Sequence, residues 1–166
     1  MRWIWIDAFV DFESGQRASA VKNISLAEEY LHDHFPGYPV MPACLLIEGM
    51  AQTAGILVGE ARGFAENVIL AKIRKAEFEG FAVPGDQVRF DAVLETIDER
   101  AAATTGSVRK NGKPMGKVDL MFSHLNQAET PRDLPDHNFV FTDQFLNLLA
   151  GFRARGGLGG SPAHGS

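Results

Sequence analysis

The chain has 166 residues, 45% of them hydrophobic, enough for one domain with a substantial core. A formal net charge of −5, with no basic block, excludes the electrostatic footprint of a nucleic-acid binder. The single cysteine, Cys44, excludes an internal disulfide and fits a reducing compartment. Residues 1–10 are apolar but interrupted by Arg2 and Asp7, without the continuous apolar core and cleavage site of a signal peptide. No stretch reaches the length of a membrane span without a charge, so the expectation is a cytoplasmic protein.

Residues 3–12 alternate aromatic and aliphatic side chains with polar ones, the pattern of a strand. A turn at 13–16 and a second strand over 17–24 complete a hairpin. Ser25 can cap a short helical turn, with Glu28 three residues on as its capping-box partner. The loop over 32–41 is stiffened by Pro36 and Pro39, each fixing its own φ and pushing its predecessor to extended geometry. A helix follows from about 42 to 62, with Pro42 suited to its first turn, Arg62 to its last and Gly63 to its C-cap.

That helix is apolar almost all round, through Leu45, Leu46, Ile47, Met50, Ala51, Ile56, Leu57 and Val58, and should be buried. A carboxylate on it is costly unless paired or used, which makes Glu48 the residue to explain. Gln52, four residues on, shares its face and can hold the carboxyl in one orientation. His34, on the loop, is a general-base candidate because imidazole exchanges protons near neutral pH. The backbone N–H groups of Ala43 and Cys44 lack intrahelical partners and, with the helix dipole, can polarise a carbonyl on which charge builds.

Four further strands are predicted over 66–78, 87–97, 100–110 and 113–125. Asn111-Gly112 is a strong hairpin signal between the last two. One long helix inside a run of antiparallel strands requires the sheet to wrap the helix, an α+β fold. The predicted domain spans 1–127. Beyond it, 128–137 is proline- and charge-rich like a linker. Residues 139–152 carry Phe141, Phe145, Leu146, Leu148, Leu149 and Phe152, with Thr142 as N-cap, and predict an amphipathic helix. It would pack on the domain's own sheet, with partner binding as the alternative. The glycine-rich tail from 153 is expected to be disordered.

The run His34-Phe35-Pro36-Gly37-Tyr38-Pro39-Val40-Met41-Pro42, followed by a helix bearing Glu48 and then Gln52, strongly resembles the hotdog-fold 3-hydroxyacyl-acyl-carrier-protein dehydratases. These are of FabZ type, with the isomerising FabA type as a cousin. The resemblance continues in Val83-Pro84-Gly85-Asp86-Gln87 and covers roughly residues 3–125. It implies a homodimeric hotdog fold and elimination of water from a (3R)-3-hydroxyacyl thioester to give the trans-2-enoyl product. His34 would remove the C2 proton and Glu48 would protonate the departing 3-hydroxyl. His34 of one subunit would face Glu48 of the other, and the Val40 carbonyl would fix the His34 tautomer. The substrate would be carried on acyl carrier protein or coenzyme A, in fatty acid or related synthesis. No cofactor is implied.

Several features depart from the pattern. The family's short N-terminal helix is missing, so one wall of the usual site would be open or built differently. Ala43 stands where the family usually has glycine, and its methyl group would narrow the acyl slot or forbid a φ that glycine allows. Lys72, Arg74 and Lys75 could dock an acidic carrier, yet Glu77, Glu79 and Gly80 replace residues that are often basic, which would move docking elsewhere, for example to Arg109 and Lys110. Cys44 is read as a packing residue. His32, Asp33 and His34 have no further ligands to complete a metal site, so none is expected. Glu48, where the isomerising branch has Asp, favours the FabZ type. An acyl thioesterase is the enzymatic rival, because the fold hosts both chemistries. A non-catalytic acyl-thioester-binding or scaffold protein is the rival of a different class.

Overall fold

Prolines and glycines set where the elements stop. The computed structural model describes residues 3–125, 140–143, 146, 147 and 149–151. The predicted linker at 128–137, the tail from 153, and Phe139, Phe145, Leu148 and Phe152 of the expected C-terminal helix lie outside the described residues. The elements are β1 (Ala8–Glu13), β2 (Arg17–Asn23), α1 (Tyr30–Asp33), α2 (Ala43–Ala61), β3 (Asn67–Phe78), β4 (Gln87–Ile97), β5 (Ala101–Lys110) and β6 (Lys113–Leu125).

The six strands form one antiparallel sheet in the order β1-β2-β4-β5-β6-β3. Asn111 and Gly112 both take positive φ, 50° and 79°, which a two-residue hairpin turn of matching twist requires. The turn pairs Lys110 with Lys113. The helix α2 packs against β2, β3, β4, β5 and β6, so the sheet curls around it. Among the described residues α2 is long and apolar enough to cross a membrane, but its apolar faces are spent inside the domain. Leu46, Met50, Ala54, Leu57 and Val58 are buried there with Phe90, Val108, Val118 and Leu120 from the strands. Gly49 allows this approach. A Cβ at that position would lie 2.5 Å from the ring tip of Phe90, so the bare helix backbone is the surface on which the ring rests.

Two predicted boundaries change. The first strand begins at Ala8 rather than at residue 3, because the Trp5 N–H is bonded to a helix side chain, Gln52 Oε1 (2.8 Å), and not to a neighbouring strand. Residues 3–6 are therefore an extended arm laid on α2. Pro42 is the N-cap of α2, with ψ at 140°, rather than its first helical residue, and its carbonyl accepts from the N–H groups of Leu45 and Leu46. Near Ser25, the expected capping pair forms in part. The Ser25 N–H donates to Glu28 Oε1 (3.2 Å), which also meets Lys22 Nζ (3.0 Å), but the helix proper starts only at Tyr30.

Candidate active site

The loop before α2 holds His34 by backbone bonds of its own. Phe35 and Tyr38 bond each other reciprocally, N–H to O at 3.0 and 2.9 Å, closing a tight turn around Gly37. Gly37 has φ of +80°, a left-handed conformation for which glycine carries no Cβ penalty. The Val40 N–H donates to the His34 carbonyl at 3.0 Å, and His34 Nδ1 lies 3.1 Å from the Val40 carbonyl oxygen. A carbonyl only accepts, so this bond requires the proton on Nδ1. The lone pair of the neutral ring is then on Nε2. The Met41 N–H donates to the Ala82 carbonyl (2.8 Å), joining this loop to the Val83–Asp86 turn. His34 is half-buried, with its ring stacked on Phe35 at 4.1 Å.

On α2, Gln52 Nε2 donates to Glu48 Oε1 at 2.9 Å. The same nitrogen donates to the Trp3 carbonyl (3.1 Å), and Gln52 Oε1 accepts from the Trp5 N–H. Every polar atom of the amide is engaged, so its orientation is fixed, and with it one oxygen of Glu48. Glu48 and Gln52 are half-buried rather than enclosed. Gln52→Leu leaves the Trp5 N–H and Glu48 without their partners. It is expected to lower stability by about 1–3 kcal/mol in urea unfolding, the cost of unsatisfied, partly buried polar groups.

The Trp3 and Trp5 contacts were not foreseen from the sequence. They hold residues 3–6 against α2. The arm contributes Trp3, Ile4 and Ile6 to a cavity of about 320 Å³ that also presents Glu48, Ala51 and Gln52 from α2. Its remaining lining is apolar, from Gly55 and Ile56 of α2, from β3 and β6, and from Val140 and Phe141. His34 does not line it.

The first turn of α2 differs from expectation in two ways. Cys44 is exposed on the first turn and so is not a packing residue within the chain. Ala43 is the first helical residue and its φ is not positive, so its methyl group meets no backbone conflict. The N–H groups of Ala43 and Cys44 precede the first intrahelical bonds, made by Leu45 and Leu46. Lys72 and Arg74 are exposed on β3, and Lys75 is paired with Glu77 at 3.0 Å. In the alternative docking patch, Arg109 pairs with Asp91 (3.3 Å), and Lys110 donates to the Phe81 carbonyl (2.8 Å).

The FabA-like domain family matches residues 3–117. The chain belongs to this family. It is 34% identical over 122 residues to a 3-hydroxyacyl-[acyl-carrier-protein] dehydratase FabZ of Pelotomaculum thermopropionicum, covering 73% of this chain and 87% of that one. It is 39% identical over 131 residues to the enzyme of the same name in Yersinia enterocolitica, covering 76% and 77%. Among solved structures it is similar to the dehydratase heterocomplex ApeI:P from Xenorhabdus doucetiae, at a TM-score of 0.65 and 18% identity over 76% of this chain and 86% of that one, a likeness of fold. The helix-wrapped sheet of this FabA-like chain is the hotdog fold that the resemblance implied. The matched family region ends within β6, so Val140 and Phe141, which line the cavity, lie beyond it.

Proposed function

We propose that this FabA-like chain removes water from a (3R)-3-hydroxyacyl thioester, with His34 as base and Glu48 as acid. The observation that carries the reading is the carboxyl group held by Gln52 at an otherwise apolar cavity, in a chain whose loop histidine has its Nε2 lone pair left for a proton. His34 Nε2 takes the C2 proton, and the C2–H electron pair moves into a thioester enolate. The free N–H groups at the start of α2 are the groups suited to stabilise that charge. The enolate pair then forms the C2–C3 double bond as the C3–O bond breaks, and Glu48 gives the leaving hydroxyl its proton. The products are water and the trans-2-enoyl thioester. His34 is left protonated and Glu48 ionised, and proton return through solvent resets the pair.

His34 does not line the cavity that Glu48 lines, which supports a site assembled in a homodimer from the two chains. The names of the relatives support acyl carrier protein as the substrate's carrier and a role in fatty acid or related synthesis. The chemistry calls for no cofactor, and the burial of α2 inside the sheet fits a cytoplasmic enzyme. The test offers 3-hydroxyacyl thioesters on carrier protein and on coenzyme A. Conjugated enoyl absorbance is expected. Release of free thiol would identify a thioesterase, and binding without turnover an acyl-binding protein.

A further inference from the structure

The cavity follows one face of α2. Glu48, Ala51, Gln52, Gly55 and Ile56 line it at helical spacings of three and four. Gly59, the next residue on this line, lies eleven residues beyond Glu48, about 16 Å along the axis at the helical rise. There the bare backbone is covered by Phe141. A Cβ at Gly59 would fall 2.4 Å from the tip of the Phe141 ring, so the ring occupies the space a side chain would have taken. Phe141 is 6% exposed and lines the cavity together with Val140. The polar side chains of the lining, Glu48 and Gln52, stand toward the helix start, and the others, including Val68 and Leu70 of β3 and Phe122 of β6, are hydrocarbon or aromatic. The cavity thus has a carboxylate-bearing part and an apolar part, and Phe141 lines the apolar one.

Its placement is anchored. The Val140 N–H donates to Asn67 Oδ1 at 3.1 Å, and Asn67 is itself buried at the start of β3. Phe64, just past the end of α2, meets the Phe141 ring edge-on at 5.0 Å. Leu149, further along, is 3% exposed in the core. These residues, beyond the matched family region, therefore contribute a fixed surface.

We propose that Phe141 is the floor of the acyl cavity and sets the longest acyl chain that the enzyme accepts. The proposal rests on the reading of this cavity as the acyl site. A chain whose thioester end lies at Glu48 grows along α2 toward Gly59 and stops at the ring. Gly59 serves the floor by leaving the ring room against the helix, and Asn67 is a positioning residue that holds it.

The test compares kcat/KM across short, medium and long 3-hydroxyacyl thioesters for the wild type, Phe141→Ala, Phe141→Trp and Asn67→Leu. In Phe141→Ala the ratio of long-chain to short-chain kcat/KM is expected to rise about tenfold or more, the scale on which one methylene counts in an apolar pocket. Phe141→Trp is expected to shift it the other way, and Asn67→Leu to broaden the profile toward longer chains. Should Phe141→Ala fail to fold by circular dichroism, Phe141→Leu keeps an apolar cover with a shorter reach, and a smaller shift in the same direction is expected. An unchanged length profile in a folded Phe141 variant overturns the proposal. Binding of non-hydrolysable acyl-pantetheine thioethers of graded length, followed by the fluorescence of Trp3 at the cavity wall, separates this outcome from failure of the dehydratase reading. A cutoff in chain length that moves with residue 141 supports the floor even without turnover, and a cutoff indifferent to it does not.

Discussion

His34→Ala is expected to lower kcat/KM for dehydration by about 10²–10⁴-fold, the range in which a positioned general base contributes. The loss should fall on kcat, because in the proposed mechanism the imidazole acts on the C2 proton while the cavity on α2 would hold the acyl chain. The loop should survive the substitution, since its closing bonds are backbone to backbone: Phe35 with Tyr38, and Val40 with the His34 carbonyl. His34→Asn is the sharper variant. An asparagine amide can still donate to the Val40 carbonyl, but it offers no basic nitrogen, so activity should fall as far as in the alanine variant. Steady-state kinetics with circular dichroism check both. An asparagine enzyme near wild-type rate would mean that the ring at 34 only shapes the loop.

Glu48→Gln is expected to cost about 10²–10⁴-fold as well, for a different reason. The side chain keeps its shape and an oxygen that can accept from Gln52 Nε2, yet it cannot supply the proton that turns the 3-hydroxyl into water. The departing group would then leave as hydroxide. The two variants together test how the site is assembled. If His34 of one subunit serves Glu48 of the other, a mixed dimer of His34→Ala and Glu48→Gln chains has one intact site and one doubly altered site. Random exchange of equal amounts should restore about a quarter of the wild-type sites, whereas a site contained in one chain would give no recovery. The mixing is read by enoyl absorbance after dissociation and reassociation of the chains.

The loop and helix that carry the candidate site were legible because their determinants are local. Proline and glycine in residues 34–42 leave the backbone few options, and Glu48 and Gln52 meet because residues four apart on a helix are neighbours. The hairpin at Asn111-Gly112 was legible for the same reason. Residues 3–6 were not. Alternating apolar and polar side chains describe a strand and also an extended arm lying on a helix, and the deciding contact comes from Gln52, 47 residues away. The exposure of Cys44 was missed because an apolar helix pattern says which residues suit a core but not how the first turn emerges from it. Phe141 could be seen as part of an apolar stripe, but its destination depended on a gap in another element, the missing side chain of Gly59.

The arm at residues 3–6 carries a dynamic consequence. It stands outside the strand ladder and is held by one amide side chain and by the burial of Trp5 and Ile6. It can therefore detach without breaking a rung of the sheet, as a local unfolding unit with a smaller opening free energy than β4 or β5. Gln52 is the shared fastener, so each such opening removes the two backbone bonds that fix its amide and leaves the bond to Glu48 as the remaining one, at the moment the cavity wall parts. Solvent would thus meet a carboxyl whose partner amide is free to turn, so breathing of the wall and alignment of the acid are coupled through one side chain.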